Sequence, residues 1–431
     1  MKRVKEVSLK PFFEPKGIAI IGASEDENKV GGILLKKAMQ SSVSIIPINP
    51  SHETLFGDRC FKEVSEYKGT IDLAIIAIPA EHVLAALESC GKRGIKNVII
   101  ISAGFLEMGN AAGAQELVSC ARKYGIRYIG TNCFGICNPR KKLDLTFSIS
   151  MPHTGDIAFI SQSGALWSYI SDLSAEIKTH FGFSKFVSLG NMDDLEFDDF
   201  INYFVKDKET KSIVLYIEKL KDGKKFIELA KKCSKRKNIF AVKGGSSDTG
   251  RAAEFSHTAS LASDYEIYKG AMKQANVTLC STLIEAFEKA SGKPLIKISE
   301  QKTKIGNKVF IITNAGGAGV LFSDYLSAKG FTIIEKPLDI LGTALARDYT
   351  KAFNDIKDKP FDSLIVIITP QSMSQIQETA EAIVSFQETT SKKVIPLFLG
   401  GLQVKKAASI FAYSKIPWFS TLEQARESLE F

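Results

Sequence analysis

Several common features are missing from these 431 residues, and each absence narrows the reading. No apolar run approaches the ~18 residues of a membrane span, and no apolar stretch follows the charged start Met1–Glu6, so neither an anchor nor a leader is expected. The seven cysteines, at 60, 90, 120, 133, 137, 233 and 280, contain no Cys-x-x-Cys. Cys133 and Cys137 lack a second pair, which argues against a zinc site and for a reducing cytoplasmic compartment. No P-loop occurs. A full G-x-G-x-x-G is absent after the first apolar run, and the second run ends in Asn49-Pro50 without an acidic residue for a ribose hydroxyl, so a nicotinamide cofactor is disfavoured.

What remains is ordinary soluble material: 45% hydrophobic and 24% charged residues, with a net charge of +8. That balance mildly favours anionic ligands. The basic clusters, such as Lys231-Lys232 and Lys235-Arg236-Lys237, fit solvated helix ends better than a nucleic-acid stripe, so no nucleic-acid partner is expected. The length suggests about three domains at ~150 residues each.

Short β-branched runs alternate with helix-compatible stretches three times over. Ile18–Ile21, Val43–Ile48, Ile71–Ile78, Asn97–Ile101 and Ile126–Ile129 make the first round. Continuous apolar strands between helices predict parallel sheets covered on both faces. The fold class is therefore α/β: a Rossmann-like domain over 1–148, then doubly wound parallel-sheet domains over 149–292 and 308–431, with a polar linker at 293–307. The last two rounds form a repeat. Ser161-Gln162-Ser163-Gly164 echoes Thr313-Asn314-Ala315-Gly316, Gly244-Gly245 echoes Gly400-Gly401, and Ser281-Thr282-Leu283 echoes Ser420-Thr421-Leu422. The spacing from Gly245 to Ser281 is nearly double that from Gly401 to Ser420, so the earlier copy carries an insertion after a parallel strand, and His257 lies in it. That is where such sheets place binding and chemistry.

Three stretches carry candidate chemistry. Gly22-Ala23-Ser24 follows the first strand and precedes a helix, a place where a ligand phosphate can approach backbone N–H groups; Lys29 could neutralise it, or be an ordinary exposed lysine. Ser161-Gln162-Ser163-Gly164 is a hydroxyl-rich strand-to-helix turn, either an anion cradle or a plain tight turn. A nucleophile elbow at Ser163 would need glycine at 161, where serine stands. His257, among Ser256, Thr258 and Ser260, is either an unremarkable loop histidine or a nucleophile able to hold a phosphoryl group. In the second case its other ring nitrogen needs a partner, and Glu218 ends a strand of the same domain at the same sheet edge.

The ordered set Ile18–Ser24, Ile101–Phe105, Ile129–Cys133, Ile160–Leu166, Tyr216–Glu218, Ser256–Ala262, Thr313–Gly317 and Pro337–Asp339 resembles the alpha subunit of NDP-forming acyl-CoA synthetases, the ADP-forming acetate–CoA ligases related to succinyl-CoA synthetase. The resemblance implies a CoA-binding first domain followed by flavodoxin-like domains. Gly22, Ala23, Ser24 and Lys29 would lie near the CoA phosphates. Ile78, Pro79, Ser102, Ala103, Gly104, Asn132 and Cys133 would line the pantetheine and thioester end. Ser161, Gln162, Ser163 and Gly164 would cradle phosphate, His257 would be phosphorylated and Glu218 would orient it. Acyl-CoA, phosphate and ADP would yield a small carboxylic acid, CoA and ATP, reversibly. An ATP-grasp domain is missing, so ADP or ATP with Mg²⁺ would sit on a separate beta subunit in an alpha2–beta2 heterotetramer, and the third domain would contact that subunit. Two positions depart from the family pattern: Thr131 stands for proline and Ala259 for glycine. A non-catalytic CoA-binding regulatory module is the alternative, and a Ser163 hydrolase or a dehydrogenase stands further off.

Overall fold

The computed structural model describes residues 7–176, 181–248, 250–251, 265–296 and 302–430. The chain separates into two compact units that interleave in sequence. The first comprises 1–147, 158–164 and 183–210, and the second comprises 148–157, 165–182 and 211–431.

The first unit is built on β1 (Gly17–Ile21), β2 (Ser44–Ile48), β3 (Leu73–Ile76), β4 (Asn97–Ile100) and β5 (Arg127–Gly130). They form one parallel sheet in the order β2-β1-β3-β4-β5. Residues 17–21, 73–76 and 97–100 are buried throughout, as strands covered on both faces must be. The strand order reverses direction beside β1. In an open α/β sheet, that is where the carboxyl-end loops separate and leave a crevice for a ligand. Helices Val30–Ala38, Ala80–Arg93 and Ala111–Tyr124 make the crossovers, and the last two end on left-handed glycines, Gly94 and Gly125.

A hairpin follows, β6 (Gly135–Asn138) and β7 (Leu143–Thr146), antiparallel and joined through Pro139. Strand β6 also pairs antiparallel with β8 (Phe183–Ser188). The parallel pattern of the sequence had no place for this hairpin. Its strands have four residues each and Pro139 interrupts them, too short a stretch for periodicity to reveal.

In the second unit β9 (Ser212–Ile217), β10 (Asn238–Lys243) and β11 (Thr278–Cys280) run parallel. A further parallel sheet has β12 (Lys308–Thr313) beside β13 (Ser363–Ile368), which in turn pairs β14 (Lys393–Phe398). Its core gathers Ile312, Tyr349, Phe353, Val366, Ile383 and Phe398, all nearly inaccessible. Among the described residues no helix is long and apolar enough to cross a membrane, and no group of His, Cys, Asp or Glu could hold a metal ion.

Candidate active site

The turns at the carboxyl ends of β1, β3, β4 and β5 bring the predicted coenzyme residues together. The registers Ile21↔Ile76, Ile76↔Ile100 and Ile100↔Gly130 align the four strand ends. Gly22 has φ +92°, and a Cβ there would lie 2.3 Å from the Ala77 carbonyl oxygen and 2.7 Å from Ile78 Cγ2. No side chain fits, so the first turn presses directly on the third. Asn49 Nδ2 donates to the Ala23 carbonyl at 2.8 Å and ties in the end of β2. Helix Val30–Ala38 starts on this turn, with exposed Lys29 at its N-cap, 3.8 Å from Asp26. Ser24 is half-buried beside it. Backbone N–H groups at a helix start with a lysine beside them are what a phosphate needs.

Farther along the edge, Ser102 and Ile78 exchange two bonds. The Ser102 hydroxyl donates to the Ile78 carbonyl at 2.5 Å, and Ile78 N–H donates back to the hydroxyl at 3.2 Å. Asn132, at φ +50°, donates its N–H to the Ser102 carbonyl. Ile78 and Gly104 are half-buried and Pro79 and Ala103 are exposed, so this stretch presents an open wall. Cys133 turns inward, its Sγ 3.3 Å from the Ile100 carbonyl, and burial pushes its thiol up to about 12. It is thus a wall residue and not a nucleophile. At pH 8 its alkylation should run about a thousandfold slower than that of an ordinary thiol. Cys120 alone among the cysteines is not buried. Brief iodoacetamide treatment followed by peptide mapping should therefore modify Cys120 first; Cys133 reacting as fast in the folded protein would contradict its placement.

A polar network that the sequence did not expose braces this wall. Glu107 Oε1 accepts from Gly104 N–H at 2.5 Å, and its Oε2 accepts from Asn191 Nδ2 at 2.6 Å. Asn191 Nδ2 also donates to Thr131 Oγ1, and Thr131 gives both its N–H and its hydroxyl to Asp193 Oδ2, each at 2.8 Å. Thr131 is the family departure noted above. Proline there would supply neither donor, so this chain has built a carboxylate partner around the threonine. The reach of the loop Gly190–Asp194 back to Thr131 is not legible in the sequence, because such contacts are long-range.

The Ser161–Gly164 turn belongs to the same unit. Ser161, Gln162 and Ser163 are buried, the Ser161 hydroxyl donates to the Ser163 carbonyl at 2.6 Å, and Leu189 N–H donates to the Ser161 carbonyl at 2.8 Å. A Cβ on Gly164 would lie 2.3 Å from Phe134 Cβ, and one on Gly190 would lie 2.2 Å from the Thr131 carbonyl. Phe134 directly follows Cys133. The hydroxyl-rich turn and the wall predicted to hold the coenzyme are therefore locked together through Phe134 and the Leu189–Asp193 loop. Helix Ala165–Glu176 follows the turn directly in the chain.

Glu218 lies in the second unit, directly after β9, and is 3% exposed. Gly244 N–H donates to the Ile217 carbonyl at 3.0 Å, so Glu218 and the Gly244-Gly245 turn after β10 share one sheet edge. Lys243 is buried there, its Nζ 5.0 Å from the Tyr268 ring and bonded to the Gly244 carbonyl. The Tyr268 hydroxyl accepts from Leu220 N–H at 3.1 Å, which closes the turn beyond Glu218. His257, and Ala259 with it, lies outside the described residues.

Residues 16–139 match the family described as CoA binding domain, and residues 154–291 match the Succinyl-CoA ligase like flavodoxin domain. The alpha subunit of Acetate–CoA ligase [ADP-forming] II from Pyrococcus furiosus is 38% identical over 96% of this chain and 94% of its own length. The Acetate–CoA ligase [ADP-forming] of Methanocaldococcus jannaschii is 40% identical; the match covers 99% of this chain, which spans 63% of that longer protein. Among solved structures, the dinucleotide-forming acetyl-coenzyme A synthetase 1 of Ca. Korarchaeum cryptofilum, in complex with phosphate and ADP, superposes with a TM-score of 0.64 at 31% identity, covering 98% of this chain and 95% of that one. The fold class and the family resemblance drawn from the sequence are both borne out.

Proposed function

The chain belongs to the family of ADP-forming acetate–CoA ligase alpha subunits, and from that premise we propose that it catalyses the acyl-transfer and phosphoryl-capture half of acyl-CoA + phosphate + ADP ⇌ carboxylic acid + CoA + ATP. The observation that carries the proposal is the linkage of the Ser161–Gly164 turn to the coenzyme wall through Phe134 and Leu189. A thioester carbonyl on that wall and a phosphate in that turn would be neighbours.

Phosphate held at the turn attacks the thioester carbonyl; the carbon–sulfur bond breaks and CoA leaves as its thiol. N–H groups at the helix start and the Ser163 and Gln162 side chains balance the phosphate charge. The neutral imidazole of His257 then attacks phosphorus, and the carboxylate departs. Glu218 accepts the hydrogen bond of the other ring nitrogen, fixing the tautomer and stabilising the cationic phospho-imidazole. ADP finally takes the phosphoryl group and frees the histidine. The nucleotide and its Mg²⁺ would be held by an ATP-grasp beta subunit in an alpha2–beta2 assembly, in the cytoplasm. The naming of relatives as alpha subunits supports a second chain.

The test is ATP formation from acetyl-CoA, phosphate and ADP by this chain mixed with its partner subunit. Activity should need both chains and all three substrates; activity of this chain alone on esters or on a nicotinamide would overturn the proposal. Lys29 makes a graded prediction. Its side chain is 71% exposed, and an exposed ion pair contributes at most about 1 kcal/mol. Lys29→Ala should therefore weaken CoA by no more than about fivefold in calorimetry, and less at high salt.

A further inference from the structure

The two repeat copies hold each other by matching carboxylates. Helices Ala165–Glu176 and Gly316–Ala328 align from Gly164 and Gly316, and each then carries a Ser–Asp pair at the same place, Ser171-Asp172 and Ser323-Asp324. Both aspartates are buried within the second unit, and each enters the loop after the partner copy's strand. Asp324 Oδ2 accepts from Ser246 N–H at 2.9 Å, and its Oδ1 accepts from the Ser247 N–H and hydroxyl, both at 2.7 Å. Asp172 Oδ2 accepts from Gly401 N–H at 2.9 Å, both oxygens lie 3.1 Å from Gln403 N, and Oδ1 accepts from the Ser150 hydroxyl at 2.7 Å. Each clasp is tight: a Cβ on Gly250 would lie 1.8 Å from Asp324 Oδ1, and one on Gly400 would lie 2.5 Å from Asp172 Oδ2.

The loops so held differ in what they lead to. The Asp172 loop runs directly into a short 3₁₀ turn, Val404–Ala407. The Asp324 loop leads, past Arg251, to His257. His257 stands ten positions beyond Ser247, a reach of at most ~35 Å from the clasp. The hydroxyl of Tyr265, after the insertion, is pushed up by burial and then by the charge of Asp324.

We propose that Asp324 is a positioning residue for the phosphoryl relay, acting through Ser246 and Ser247 to fix the root of the segment that carries His257, while Asp172 is its structural twin without that role. The assignment rests on His257 being the phosphoryl carrier. A carboxylate is required because two N–H groups converge on it. An asparagine offers one acceptor oxygen and turns a donor toward the other N–H. A loosened root spreads the imidazole over a larger volume and lowers its effective concentration at either phosphoryl partner.

The experiment uses the reconstituted complex and compares Asp324→Asn, Gly250→Ala and Asp172→Asn with the parent. Single-turnover labelling of His257 from acetyl-CoA and radioactive phosphate, then discharge by ADP, gives the two transfer rates. Amide exchange at Ser246 and Ser247 reports the clasp, and calorimetry reports CoA affinity. Asp324→Asn and Gly250→Ala should slow both transfers by about tenfold and expose both amides, with CoA affinity within about twofold of the parent. Asp172→Asn loses a comparable set of bonds and should leave both transfers within about twofold. Asp324→Glu should recover part of the loss. Should Asp324→Asn fail to fold, Ser247→Ala removes one hydroxyl bond to Asp324 and should slow transfer by about threefold. Equal transfer rates in Asp324→Asn (or, failing that, Ser247→Ala) and Asp172→Asn would overturn the assignment. A parent that takes no label at His257 would overturn the relay beneath it as well, and that result is distinguishable because it appears before any substitution is made.

Discussion

His257→Ala abolishes ATP formation by the reconstituted complex, a loss on the order of 10⁴-fold or more, while CoA binding stays intact. Removing a covalent carrier deletes a step and not merely its acceleration, so its effect falls in the range seen when a nucleophile is removed. CoA affinity is the internal control. The residues proposed to hold the coenzyme, Gly22–Ser24, Ile78–Pro79, Ser102–Gly104 and Asn132–Cys133, all belong to the first unit, where Glu107, Asn191 and Asp193 brace Gly104 and Thr131. None of those bonds involves the insertion. Turnover and CoA affinity falling together would point to a folding defect; turnover surviving would refute the carrier.

Glu218→Gln is the second large effect, a fall of about 10²- to 10⁴-fold in turnover, as expected when a carboxylate that fixes a histidine tautomer becomes an amide. The substitution keeps size and polarity at a buried position that directly follows β9, so a stability loss alone cannot account for it. Its signature lies in the intermediate. Without a carboxylate to stabilise the charged phospho-imidazole, the phosphohistidine should form more slowly and also reach a lower plateau in quench experiments. A normal plateau with normal rates would remove Glu218 from the site.

The sequence made the architecture legible because buried parallel strands leave continuous apolar runs, and Ile18–Ile21, Leu73–Ile76 and Asn97–Ile100 are such runs. It also made the Gly-rich turns legible: Gly22 and Gly164 stand where a Cβ would meet Ala77 or Phe134. What stayed hidden was pairwise and distant. The hairpin Gly135–Thr146 was too short to show a period. The links Glu107–Asn191, Asn191–Thr131 and Thr131–Asp193 join residues sixty or more positions apart with polar side chains, a residue type that composition treats as surface. The reciprocal aspartates were masked in the same way. The repeat was visible at its glycines, yet Asp172 and Asp324 look like ordinary helix residues until the loops they hold are seen.

The central claim is that this chain carries a phosphoryl group on His257. The most direct measurement mixes it with its partner, acetyl-CoA and radioactive phosphate without ADP, and maps the label by mass spectrometry under alkaline conditions. The account predicts an acid-labile label on His257 that passes to ATP when ADP is added. Absence of label on this chain, or label that persists in His257→Ala, would contradict it.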